Sequence, residues 1–113
     1  MRALPLVLAE WVFRLPWMRR PPWLATMADG RPSDDALRRD LVILEIREGY
    51  LKWAHLLCPK CGDHIELPLA GHEKWTVKVD WLRRPTLSPS VWERATCGAH
   101  FFIRGGQINW SRW

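Results

Sequence analysis

The sequence predicts a mainly β fold: a small antiparallel domain over residues 41–113 with two metal-ligating knuckles, preceded by an irregular arm over residues 1–40. Three observations predict it. From Leu41 onward, apolar and polar residues alternate with the period of a half-buried strand. Short turn signals, Glu48-Gly49 and Gly105-Gly106, separate these runs as hairpin turns do. Two pairs, Cys58-Pro59-Lys60-Cys61 and Cys97-Gly98-Ala99-His100, each place two metal-binding side chains across a two-residue spacer.

In residues 1–40, Pro5, Pro16, Pro21, Pro22 and Pro32 interrupt every apolar run before a long helix or strand is complete. The opening Ala3-Leu4-Pro5-Leu6-Val7-Leu8-Ala9 has the flavour of a signal segment, but Glu10 and Arg14 follow it and no clean small-residue cleavage site does. A cytoplasmic protein is therefore expected. No stretch reaches the roughly 18 uncharged apolar residues of a membrane-spanning helix. Trp11, Phe13, Trp17, Met18 and Trp23, interleaved with Arg14, Arg19 and Arg20, form a basic aromatic segment suited to an extension, to packing on its own domain, or to docking on a partner or membrane surface. Ser33-Asp34-Asp35-Ala36-Leu37-Arg38-Arg39 has a capping serine, acids in the first turn and bases in the last, which predicts one short helix.

The β region follows. Leu41–Ile46 and Tyr50–Leu57 read as a hairpin about Glu48-Gly49, the second strand running directly into Cys58. His64–Leu67 alternates and stops at Pro68, and Trp75–Asp80 alternates after the Ala70–Glu73 loop. Pro85–Trp92 carries too much proline for a central strand, so an irregular segment or an edge is expected there. His100–Arg104 and Gln107–Trp110, joined by Gly105-Gly106, form the last hairpin.

The paired spacing predicts a structural zinc bound by Cys58, Cys61, Cys97 and His100, three thiolates and an imidazole closing a tetrahedral shell. A disulfide framework fits worse, since three cysteines leave one thiol over. In 113 residues there is room for one core, and bound zinc would add to its stability. A net charge of +5 and nine tryptophans favour anionic or aromatic-binding partners only in general terms. Bases stacking on tryptophans over a sheet make nucleic acid a weaker partner reading, and no phosphate-binding glycine loop is present.

The run Ala54-His55-Leu56-Leu57-Cys58-Pro59-Lys60-Cys61-Gly62-Asp63-His64-Ile65-Glu66-Leu67-Pro68, followed by Pro85-Thr86-Leu87-Ser88-Pro89-Ser90-Val91, Cys97-Gly98-Ala99-His100-Phe101-Phe102-Ile103 and Gly106-Gln107-Ile108-Asn109-Trp110, resembles the bacterial family of domains of unknown function numbered 6527. That family usually carries a denser Cys-x-Cys-Gly-Cys-Gly knuckle, and one of its cysteines is missing here. The resemblance implies a zinc-ribbon-like domain found beside ubiquitin-like, E1-like and E2-like proteins, with a processing or deconjugating peptidase role.

Two classes of function follow. A closed Cys3His shell does no Lewis-acid chemistry, so the chain is either a non-catalytic binding module presenting Trp53, Trp75, Trp92 and Arg83-Arg84, or a hydrolase whose chemistry lies elsewhere. No H-E-x-x-H helix supplies a metallopeptidase site, although Glu66, Glu73 and Glu93 are available as bases. A serine route fits better: Ser90 or Ser88 as nucleophile, with His55 as its base.

Overall fold

A computed structural model describes residues 3–16 and 20–111. Trp17, Met18 and Arg19 of the basic aromatic segment, and residues 1–2 and 112–113, lie outside the described residues. The described chain forms two four-stranded sheets. Sheet A has the order β1 (Leu24–Asp29), β2 (Leu41–Arg47), β3 (Tyr50–Leu57), β4 (His64–Pro68). Sheet B has the order β5 (Thr76–Val79), β6 (Pro85–Trp92), β7 (His100–Arg104), β8 (Gln107–Trp110). One helix, α1 (Leu6–Phe13), precedes them.

Strand alternation turns these sheets into a sandwich. Val42 and Leu44 on β2, Ala54 and Leu56 on β3, and Ile65 and Leu67 on β4 point to one side of sheet A. They pack in a single cluster with Leu87, Val91, Phe101 and Ile103 of sheet B. The residues between them necessarily face outward. On sheet A these include Ile43, Glu45, His55, His64 and Glu66; on sheet B, Ser90, Trp92, His100 and Phe102. The main core thus separates two outer faces, and the functional groups divide between them.

The sequence runs expected as hairpins are hairpins: β2–β3 turns at Glu48-Gly49 and β7–β8 at Gly105-Gly106. Three expectations are corrected. The stretch expected to be an irregular arm supplies α1 and β1, and β1 pairs parallel to β2 with Leu24 opposite Leu41. Trp23, Leu24 and Ala25 are buried, and Ala9 of α1 packs with Leu24, Leu41 and Ile43 in a second cluster on the outer face of sheet A. The prolines flank these elements rather than break them. Only a 3-10 turn, Asp34–Ala36, forms where a short helix was predicted, because the apolar stripe that would dock a longer helix is missing.

The third correction concerns Pro85–Trp92, which is the strand β6 between β5 and β7 rather than an irregular segment or an edge. Its prolines fall where a missing N–H does least harm. Pro85 opens the strand, and Pro89 lies in the irregular stretch between Leu87 and Val91 where the register with β7 shifts; the Ser88–Pro89 peptide is cis.

The N-terminal elements are tied down at several points. Ala25 N–H donates to Arg83 O at 2.7 Å and Arg83 Nη1 donates to Ala25 O at 3.1 Å, while Leu4 N–H donates to Trp81 O at 2.8 Å. Trp23 N–H donates to Gly106 O at 2.6 Å. Gly106 has φ +79°, and a β-carbon there would lie 2.6 Å from both Pro22 Cβ and Trp23 O, so this turn needs glycine for close approach as well as for its backbone angle. No helix among the described residues is long and apolar enough to cross a membrane.

Candidate active site and cysteine cluster

Two adjacent strands of sheet B bring a serine and a histidine together. Trp92 pairs with His100 across β6 and β7, so Ser90, two residues before Trp92, shares the outer face with His100. Ser90 Oγ lies 2.7 Å from His100 Nε2, within direct proton-transfer reach. The imidazole is held between aromatic rings. Trp92 stacks on it at 5.0 Å between centroids and 14° between planes, and Phe102 lies on it at 6.2 Å. The stack ends in guanidinium groups, Arg94 over Trp92 at 4.6 Å and Arg104 over Phe102 at 4.5 Å. Trp75 Nε1–H donates to Ser90 O at 3.4 Å and steadies the strand that carries the hydroxyl. An open groove of about 490 Å³ runs alongside, lined by Pro59, Lys60, Gly98, Ala99, His100 and Trp110.

Ser88 does not share this arrangement. It is exposed and sits opposite Thr76 on β5, on the far side of Pro89 from Ser90. His55, expected as the base, is on the outer face of sheet A with the core between it and Ser90. Its Nε2 lies 2.7 Å from Glu45 Oε1 and its Nδ1 lies 2.9 Å from His64 Nε2. Glu45 and His55 are both fully buried, and Arg47 makes an ion pair with the other carboxylate oxygen. Burial pushes the Glu45 carboxyl up, but the hydrogen bonds from His55 and Arg47 and the Arg47 charge outweigh it, leaving the group below the usual range. With Glu45 ionised, His55 donates Nε2–H to it.

Cys58, Cys61 and Cys97 converge as expected, with their sulfurs within 4.8 Å of one another. Cys58 is buried in the core, Cys97 packs against it, and Cys61 is exposed. The Cys58 and Cys97 sulfurs are 3.6 Å apart, too far for a disulfide at about 2.05 Å. That distance suits two thiolates on one zinc, which at about 2.3 Å per bond and tetrahedral angles stand about 3.8 Å apart. The turn that carries Cys58 and Cys61 is closed by backbone hydrogen bonds: Cys58 N–H donates to Asp63 O, and Gly62 N–H donates to Cys58 O. Hydrogen bonding from the Ala99 backbone pulls the Cys97 thiol down against the effect of burial. A backbone hydrogen bond at Asp63 favours the Cys61 thiolate, yet desolvation and its neighbours Cys97 and Cys58 push that thiol up to about 12.

His100, expected as fourth ligand, is not a member of this group among the described residues. The reason is strand parity. Ala99 and Phe101 turn into the core, so His100 turns to the outer face, where it meets Ser90. The signal was available in the sequence: a ligand pair whose second member begins a strand offers that member to the strand's face. Glu45 was also missed, although a lone carboxylate inside the apolar run Leu41–Ile46 marks a buried polar site.

No curated protein and no solved structure matches the chain. The family described as bacterial ubiquitination-like system serine protease (BubE) matches residues 19–111, which take in Ser90, His100 and the three cysteines, so the chain belongs to that family.

Proposed function

We propose that the protein is a serine peptidase that processes or deconjugates a ubiquitin-like protein of a bacterial ubiquitination-like system, with Ser90 as nucleophile and His100 as its general base. The observation that carries this reading is the 2.7 Å contact between Ser90 Oγ and His100 Nε2 on an open face, in a chain whose family is a serine protease family. His100 replaces His55 in the role first expected for the latter, and Ser88 has no part in it.

The chemistry follows from the geometry. In the neutral imidazole tautomer, Nε2 accepts the Ser90 proton as Oγ attacks the scissile carbonyl carbon, and the imidazolium then protonates the leaving amine or alcohol. Water, deprotonated by the same nitrogen, cleaves the resulting ester and restores the hydroxyl. Stacking between Trp92 and Phe102 fixes the ring plane so that Nε2 stays on Ser90. The groove lined by Pro59, Lys60, Gly98 and Trp110 reaches His100 and accommodates an extended chain end. Cys58, Cys61 and Cys97 would hold a zinc ion, whose role is to tie the β3–β4 turn to the loop before β7 and so fix one wall of that groove. The expected partners are the ubiquitin-like, E1-like or E2-like proteins of the same cytoplasmic system.

The test is cleavage of a fusion between the ubiquitin-like partner and a reporter. Ser90→Ala is expected to abolish it at unchanged fold, whereas Ser88→Ala is expected to retain it. Cleavage that survives Ser90→Ala removes the serine mechanism; absence of cleavage in the parent protein, with tight binding of the same partner, supports a non-catalytic binding module instead.

A further inference from the structure

The outer face of sheet A carries a second constellation that the peptidase reading does not use. His55 on β3 sits directly opposite Glu66 on β4, and His64 lies two residues before Glu66, so all three side chains rise from one face. His55 Nδ1 and His64 Nε2 are 2.9 Å apart, His64 Nε2 is 3.8 Å from Glu66 Oε1, and the three ligand atoms lie within 4.8 Å of one another. We propose that His55, His64 and Glu66 form a binding site for a divalent transition-metal ion, separate from the three-cysteine group.

Four features point the same way. Two imidazoles and a carboxylate are a ligand set that zinc and its first-row neighbours favour, and it leaves further coordination positions for water. His55 is oriented as ligating histidines are: its far nitrogen, Nε2, is held at 2.7 Å by the buried carboxylate of Glu45, which leaves Nδ1 with a lone pair aimed at the site. A buried carboxylate with a buried histidine is costly to maintain for packing alone, since an apolar pair of the same volume would serve as well. The fit needs little movement. A tetrahedral ion at about 2.0–2.1 Å from each nitrogen sets the nitrogens about 3.3 Å apart, so the rings must part by a few tenths of an ångström while His64 takes the tautomer with its proton on Nδ1.

Arg31 stands in the way. Its guanidinium donates to Glu66 Oε1 at 2.7 Å, so metal and Arg31 compete for that oxygen, and Arg31 sets the affinity. The side chain is more than half exposed and swings away without disturbing the core.

Cobalt(II) distinguishes the two sites because only thiolates give it an intense sulfur-to-metal charge-transfer band. The full-length apo-protein titrated with Co2+ should show, apart from any thiolate band, a second component with ligand-field absorption alone. His64→Ala and Glu66→Ala, both at partly exposed side chains, should each remove that component and leave the thiolate band in place. Arg31→Ala should tighten it severalfold. Absorption confined to the thiolate component, or a second component that survives both His64→Ala and Glu66→Ala, would reduce the two rings to a hydrogen-bonded pair only. A second component weakened or left alone by Arg31→Ala would remove Glu66 from the ligand set and overturn the site as drawn.

Discussion

Replacing His100 and His55 in turn separates catalysis from stability, because the structure gives them opposite jobs. His100→Gln removes the hydrogen bond with Ser90 and the stack on Trp92. The hydrogen bond is worth about 1 kcal/mol and the aromatic contact about 0.5–1.5 kcal/mol, so the fold should lose about 2 kcal/mol. At roughly 4 °C per kcal/mol for a chain of this size, the melting temperature should fall by roughly 8 °C. Turnover should fall much further, by about 10³-fold or more, since a nucleophile without its base retains only the contribution of binding. His55→Leu has the reverse profile. It keeps the side-chain volume but leaves the Glu45 carboxylate buried with Arg47 as its remaining ionic partner, a loss of about 3–5 kcal/mol. Its kcat per folded molecule should stay within a few-fold of the parent, because the core lies between His55 and Ser90. The assay is single-turnover cleavage of the ubiquitin-like fusion, normalised to the folded fraction from circular dichroism, beside a thermal melt. A folded His55→Leu variant without turnover, or a His100→Gln variant with more than about a tenth of parental kcat, would refute the assignment.

Three further outcomes are expected. Gly106→Ala forces a β-carbon to 2.6 Å from Pro22 Cβ and Trp23 O at a residue with φ +79°, and should cost about 2–4 kcal/mol in a chemical-denaturation measurement, whereas Gly71→Ala, with nothing near its β-carbon, should cost only the left-handed backbone penalty of about 1–2 kcal/mol. Trp23→Ala should remove about 3–5 kcal/mol, and deletion of residues 1–23 should lower the melting temperature at least as much, because Trp23 is 5% exposed and joins the core beneath Gly106; a truncated chain that melts like the parent would show that these contacts contribute nothing. Metal analysis of the purified protein should find zinc that Cys97→Ser abolishes or weakens, and a chelator should lower both melting temperature and cleavage together, while a chelated protein that melts unchanged would remove zinc from the three-cysteine group.

The strands and hairpins of the second half were legible because each is encoded locally. Alternation over Leu41–Ile46 and Tyr50–Leu57, and the Gly105-Gly106 turn, carry their own instructions, and so does the two-residue spacer that brings Cys61 back beside Cys58; Cys97 joins them only through the packing of the two sheets. β1 was not legible in the same way. Leu24–Asp29 is short and flanked by prolines, and it becomes a strand because β2 offers a parallel edge and Arg83 closes the other side. β6 was read as irregular for a similar reason: a proline rule describes regular ladders, and the irregular register between Leu87 and Val91 is visible only when β7 is beside it.

For the site, the sequence by itself determined the reactive inventory: three cysteines, two of them at ligand spacing, two serines in a proline-bounded segment, and histidines at three strand positions. It also determined which neighbours share a face, since alternation is a property of the backbone. What only the tertiary structure decided is which histidine meets which partner. Cross-strand register joins Ser90 to His100 and His55 to Glu45 and His64, and sheet-on-sheet packing then sets those two groups on opposite sides of one apolar core. Register between strands depends on pairings many residues apart, and no spacing along one strand contains it.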